Sequence, residues 1–403
     1  VINIYSQLLV QANKALFGLT LDPQNTSPGP FVLGNGDFFI ELPAAYGCSY
    51  SDLTLTGANG TAMPNAAELI DKGIETGVES RMCNAIKVAS YYLEAGLLRK
   101  PDLIITSNSC CDAMDTLGNL MNGYKPWADV PKFRMDAPHS FDEESYRYMG
   151  KQLRQAVTFM EGVFGRKMDW DRMREVCELS NKQDRLLLEF QELKKAVPCP
   201  ANPDFSRLGF IYDRWTGERI SPQITEWLEQ LVCATEVRVK AGQGIEGVTE
   251  KVRFLWQDLA GSWPPGALWG RLQQELGAVC IMDYLSFGTL TPIDLSSEEA
   301  MFTSLGKRFL LEDPMNRQCL HTTDLFCSDI MQIVRDFKCD CVIMPAHIGH
   351  RDTNSRLKVV RDLCRKNDIP CLVLGMDIWD KRYMTPDTAF DRMKTFLETT
   401  GLI

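Results

Sequence analysis

Cys110 and Cys111 stand side by side just after an apolar run, Leu103-Ile104-Ile105, and a small polar segment, Ser107-Asn108-Ser109. Cys83 opens an earlier helical stretch, and His347 and His350 follow a second apolar run that ends at Met344-Pro345. Thiols and imidazoles on loops that end strands are ligands for soft or borderline metals, and several chemistries compete for them. A zinc ion on Cys83, Cys111 and His350 is chemically sound, although no close CxxC or HExxH pair accompanies it. A nucleophilic or redox role for Cys110 and Cys111 meets the difficulty that adjacent cysteines seldom close a disulfide, the usual redox spacing being CxxC. An iron-sulfur cluster takes soft ligands from several loops meeting at one point. The loops after Val78, Ser107 and Met344 satisfy that need if their strands are neighbours.

Those loops require a particular scaffold. Residues 103–105 read as a buried strand, Ser107-Asn108-Ser109 as the cap of a helix over about 110–121, and residues 133–135 as the next strand. Cys110 and Cys111 then lie at the carboxyl end of a strand in a βαβ unit, the edge where open α/β sheets bind ligands. Residues 81–94 predict a helix with Cys83 near its start. From residue 250 the alternation is regular, with strands over 252–256, 278–282, 341–344 and 371–374 and helices over 266–276, 324–337 and 354–366. Such alternation implies a parallel sheet with right-handed crossovers. Residues 38–42 and 53–55 are candidate strands, 1–20 an amphipathic helix, and 143–164, about 169–195 and 222–233 further helices. The fold class expected is α/β: two flavodoxin- or Rossmann-like parallel-sheet domains joined by a helical segment. The divisions fall at 1–165, 166–249 and 250–403.

Composition narrows the function. A net charge of -10 over 403 residues argues against general nucleic-acid binding. No apolar run approaches the roughly 20 residues that span a bilayer, and no basic segment with an apolar core opens the chain, so a cytoplasmic location with no membrane partner is expected. Fourteen cysteines are many for such a protein. Cys177, Cys233, Cys280, Cys364 and Cys371 fall within helix or strand patterns and read as small buried hydrophobes. GxGxxG after a strand, GxxxxGK[ST] and GxSxG are all missing, so no nucleotide or serine-hydrolase site is signalled.

From about residue 36 onward the order of residues resembles the iron-sulfur subunits of the 2-hydroxyacyl-CoA dehydratase and benzoyl-CoA reductase family. The matching pieces are Cys83-Asn84-Ala85-Ile86-Lys87, Pro101-Asp102-Leu103-Ile104-Ile105, Cys111-Asp112, Met135-Asp136-Ala137-Pro138, Arg253-Phe254-Leu255-Trp256, and Ile369-Pro370 through Asp377 to Asp380-Lys381-Arg382-Tyr383. The resemblance implies a 4Fe-4S cluster on three cysteines, with one iron free for water, sulfide or a substrate oxygen. Cys83 and Cys111 match the first two ligand positions, and His350 stands where the third cysteine is expected. Either His350 ligates, or Cys110 substitutes, or the chain holds a different cluster or none. A larger double-cubane cluster is also known in the family, and Cys48, Cys110, Cys319 and Cys327 are additional thiols for it.

The partners implied are a homologous second subunit, an ATP-hydrolysing iron-sulfur activator that donates single electrons, and an acyl-CoA. A CoA tail needs basic contacts, for which Arg351, Lys381 and Arg382 are candidates by position. Gly349-His350-Arg351-Asp352 and Asp380-Lys381-Arg382-Tyr383 favour the branch that reduces benzoyl-CoA or a similar aromatic acyl-CoA to the dienoyl-CoA in anaerobic aromatic degradation. The alternatives are dehydration of a 2-hydroxyacyl-CoA through a ketyl radical, and a non-catalytic partner or electron-relay subunit, which the missing third cysteine favours.

Overall fold

The computed structural model describes residues 21, 29–35, 39–201, 220–259 and 266–403, so the helix expected over 1–20 lies outside the described residues. The first half contains β1 (Phe31–Gly34), α1 (Glu41–Ala45), β2 (Ser49–Asp52), α2 (Leu53–Gly60), α3 (Ala66–Glu75), α4 (Asn84–Glu94), β3 (Leu103–Ser107), α5 (Asp112–Gly123) and β4 (Lys132–Met135). Three longer helices follow, α6 (Glu143–Phe164), α7 (Trp170–Leu193) and α8 (Pro222–Lys240). The second half contains β5 (Val252–Trp256), β6 (Ala278–Asp283), α9 (Glu298–Lys307), α10 (Pro314–Cys319), α11 (Thr323–Asp336), β7 (Cys341–His347), α12 (Arg351–Lys366), β8 (Cys371–Met376) and α13 (Pro386–Thr399). Among the described residues no helix is long and apolar enough to cross a membrane.

Each half builds a four-stranded parallel sheet, in the orders β2-β1-β3-β4 and β6-β5-β7-β8. These are two Rossmann-like α/β units, as the alternation predicts. Every residue of β3, β5 and β6 is buried, which is why these strands read as continuous apolar runs rather than as alternating ones. In both sheets the first strand lies between the second and the third. The chain therefore reverses its winding at β1/β3 and again at β5/β7, and a crevice opens at the carboxyl ends of those pairs. Asn35, just after β1, fixes the first crevice: its side chain accepts from the Ser107 amide at 2.9 Å and donates to the Ser107 and Met114 carbonyls at 3.2 and 2.7 Å.

Several sequence readings need correction. Residues 41–45 and 53–60 are helices, and the strands beside them are Phe31–Gly34 and Ser49–Asp52. Leu53-Thr54-Leu55 alternates like a strand, but the Asp52 carboxylate accepts the Leu55 amide at 3.0 Å and caps a helix there. Ser49-Tyr50-Ser51-Asp52 is too polar to signal a strand and forms one only because β1 pairs with it. The helix of residues 112–123 is entered through Cys111, not through a side-chain cap from Ser107-Asn108-Ser109. Residues 266–276 wind as two wide turns of π type, Gly266–Gly270 and Leu272–Leu276. Cys233 is exposed, whereas Cys177, Cys280 and Cys364 are buried as expected.

The halves share packing. Helix α9 crosses α6 at two glycines: a Cβ on Gly306 would lie 2.5 Å from the Tyr146 carbonyl oxygen, and one on Gly150 would lie 3.1 Å from the Phe302 backbone. Met301, Phe302 and Leu305 of α9 thereby join the core beneath Val32, Leu103 and Ile105 of the first sheet. Gly306→Ala is expected to wedge these helices apart at a cost of about 1–3 kcal/mol. A urea unfolding curve that shifts by less than measurement error would contradict this close crossing.

Candidate metal centre

Three loops reach the crevices, and each delivers one ligand candidate in the same local setting. Cys83 is the N-cap residue of α4, Cys111 that of α5, and His350 that of α12; none of the three side chains caps its own helix. A helix start carries unpaired amides and a partial positive charge near half a unit, so residues there face an electropositive environment. One guanidinium ties the three starts together. Arg351, the first residue of α12, donates to Asp112 at the start of α5 at 3.1 Å and to Glu79 in the turn before α4 at 3.2 Å.

Cys83, His347 and His350 each offer a donor atom, and these atoms lie within 4.8 Å of one another with all three residues buried. His350 is oriented by Asp258, which follows β5: Nδ1 lies 3.0 and 3.1 Å from the two carboxylate oxygens. Burial opposes the charged imidazole, yet Asp258 and Cys83 together hold its pKa well above the usual histidine value. With Nδ1 engaged, Nε2 is left for a metal, the usual carboxylate–histidine–metal arrangement. His347 ends β7 and is fully buried; desolvation, then His350 and Lys87, keep its pKa well below the ordinary value. The two imidazoles meet edge to face, with centroids 4.3 Å apart and planes at 82°. Gly349 lets the loop pass between them. A Cβ there would lie 2.8 Å from both Cys83 Cα and His347 Nε2.

Among the described residues Cys111 falls outside that set of donor atoms and belongs to a second group of thiols with Cys110 and Cys319. Cys110 hydrogen-bonds Cys111, and that bond, reinforced by burial, pushes the Cys111 pKa well up. Cys110 also bonds Cys319, at the end of α10; there the bond works downward, but burial and Asp352 still hold Cys319 well above the usual thiol value. Ser109 Oγ bonds the Asn316 side chain, pinning α10 to the loop after β3. Cys48 and Cys327 are not brought here: Cys48 precedes β2 at the opposite edge of the first sheet, and Cys327 lies within α11 near Asp324 and Arg356.

The basic candidates are placed differently from one another. Arg351 is half exposed at the mouth of the centre and already held by two carboxylates. Arg382 is gripped by Asp71 at 2.9 and 3.0 Å and by Asp380 at 2.8 to 3.0 Å, fastening the segment after β8 to α3. Lys381 lies beside it, half-buried. Sequence reading missed Asp258, because a single acid after a strand resembles any loop carboxylate. The only available signal was its place, two residues past Trp256 at the end of a buried strand.

Asp258→Asn is expected to weaken metal retention about 10- to 100-fold while leaving the fold intact, since the carboxylate orients the ligand and raises its basicity. Chelator-competition titration of the metal-loaded protein measures it. Unchanged retention would remove Asp258 from the centre.

Comparison with known proteins bears on this geometry. The family described as 2-hydroxyglutaryl-CoA dehydratase, D-component, matches residues 40–400. The chain is 27% identical over 175 residues to the lactoyl-CoA dehydratase subunit alpha of Anaerotignum propionicum, covering 41% of this chain and 38% of that one. It is 26% identical over 171 residues to the (R)-2-hydroxyglutaryl-CoA dehydratase subunit alpha of Acidaminococcus fermentans, covering 41% and 34%. To the (R)-phenyllactyl-CoA dehydratase alpha subunit of Clostridium sporogenes it is 21% identical over 217 residues, covering 50% and 51%. The matches thus span about a third to a half of the length of these curated relatives. All three names are dehydratase subunits, and the expectation of aromatic-ring reduction draws no support from them.

Proposed function

This chain belongs to the 2-hydroxyglutaryl-CoA dehydratase D-component family, and from that premise we propose that it is a subunit of a 2-hydroxyacyl-CoA dehydratase. It holds an iron-sulfur cluster on Cys83, Cys111 and His350, with Cys110 as the neighbouring thiol. It works with a homologous second subunit and an ATP-hydrolysing activator. The observation that carries this reading is the set of three helix starts, each opened by a ligand candidate whose side chain does not cap its own helix, and tied together by Arg351. A group that accepts electrons gains negative charge, and partial positive ends stabilise that charge. Cys83 and His350 offer a soft thiol and a carboxylate-fixed imidazole within reach of one another, and Cys111, at the next helix start, would supply the second thiol.

When bound, the cluster supplies one-electron chemistry to an acyl thioester. The chain's own residues prepare its setting. Burial of Cys83, His347 and His350 excludes water, Asp258 orients His350, and Arg351 bridges the starts of two helices while staying half exposed, a cation an anionic acyl-CoA could meet. Arg382 is engaged on both faces by Asp71 and Asp380 and serves the scaffold first.

The test is turnover by the anaerobic complex with its second subunit, activator and ATP. Conversion of a 2-hydroxyacyl-CoA to the enoyl-CoA, without reduction of benzoyl-CoA, is expected. Reduction of benzoyl-CoA alone would replace this reading by the ring-reducing one. A complex in which Cys111→Ser keeps full activity would make the chain a non-catalytic partner.

A further inference from the structure

We infer that His347 is a fixed hydrogen-bond donor to the metal centre, its Nε2–H presented to a sulfur of the group held beside Cys83, and is not itself a ligand. This rests on the cluster reading above and adds a residue to it.

The tautomer follows from the neighbours of Nδ1. The Ile378 amide donates to His347 Nδ1 at 3.1 Å, so that nitrogen carries a lone pair. A neutral imidazole has one N–H, which must then sit on Nε2. The nearby Asp377 does not reverse the assignment. Its Oδ1 is 3.5 Å from Nδ1, beyond hydrogen-bond reach, and accepts the Trp379 and Asp380 amides at 2.9 and 3.0 Å; its Oδ2 accepts from Asn84 at 2.9 Å. A doubly protonated ring would point one N–H at the Ile378 N–H.

Nε2 is therefore a donor, and among the described residues nothing accepts from it although it is buried. A buried unpaired donor is costly, so the occupant of the centre is the acceptor. Its place agrees: the donor atoms of Cys83, His347 and His350 all lie within 4.8 Å of one another. His350 presents the opposite character. Asp258 accepts a hydrogen bond from its Nδ1, so Nε2 is the nitrogen that would give up its proton and turn a lone pair to a metal. Two histidines three residues apart thus divide the work, one ligating and the other donating. Hydrogen bonds to cluster sulfur favour the reduced form and raise its potential.

The experiment is a redox titration of the anaerobic complex by EPR, with iron analysis and detection of exchangeable protons coupled to the reduced centre. His347→Gln places an amide N–H near the position of Nε2, and His347→Leu removes the donor. His347→Leu is expected to keep its iron, lose one exchangeable proton coupling, and lower the reduced-to-oxidised ratio at fixed potential about tenfold, equivalent to about 59 mV for one electron. His347→Gln is expected to restore both signals. Iron retained in His347→Leu with the coupling and potential of the wild type overturns the inference. So does iron lost from both variants, which would make His347 a ligand. Iron lost from His347→Leu but kept in His347→Gln with its proton coupling supports donation. A wild-type complex without iron overturns the cluster reading itself, and this inference falls with it.

Discussion

His350→Ala is expected to lose its metal almost entirely, and to lose stability as well, because Asp258 is then a fully buried carboxylate without its partner. Breaking one side of a buried charged pair typically costs about 3–5 kcal/mol. The informative variant is His350→Cys. A thiolate at this position matches the family pattern, but it sits against Asp258, and two negative groups in a buried site repel. The single substitution is therefore expected to recover iron only in part, and the double variant His350→Cys with Asp258→Asn to recover it fully. Iron analysis of the four proteins, with urea unfolding of each, reads the coupling between the two positions. Equal iron in His350→Ala and the wild type would remove His350 from the ligand set and leave Cys110 as its replacement.

Gly349→Ala is expected to empty the centre by another route, without touching a ligand. Its Cβ would meet Cys83 Cα and His347 Nε2 at 2.8 Å each, separations that real Cβ atoms do not hold, so the loop after β7 must withdraw from the start of α4. Overpacking of this kind costs about 1–3 kcal/mol. The larger effect falls on the metal, because His350 moves with the loop away from Cys83. Gly375 in β8 provides the control, since a Cβ there meets nothing within 4 Å. Gly349→Ala should therefore lose most of its iron with its helical content unchanged, while Gly375→Ala keeps both. Full iron in Gly349→Ala would show that the two loops are not held together as described.

Much of this arrangement was legible in the chain. Strands such as Leu103–Ser107 and Val252–Trp256 are buried on both faces, so their apolar runs announce them, and Cys111 and His350 follow such runs, whereas Cys83 follows a helix and a turn. Cys83, Cys111 and His350 were named from order and spacing; each marks a helix start, and the structure brings Cys83 and His350 together with His347. Two things were hidden. Short or polar strands, Phe31–Gly34 and Ser49–Asp52, owe their state to pairing with a neighbour, which no local pattern records. The roles of Asp258 and His347 depend on which atom faces which, across a separation of 92 residues in the first case. Likewise Arg382 looked like a contact for an anionic ligand, and its commitment to Asp71, 311 residues away, is a tertiary fact.

The most direct test of the account is iron, acid-labile sulfide and zinc per chain after anaerobic purification of the complex, with EPR of the reduced protein. About four irons and four sulfides per chain, little zinc, and an EPR signal perturbed by His350→Ala are predicted for a single cubane. About one zinc per chain with no sulfide would contradict it and make the centre a mononuclear site.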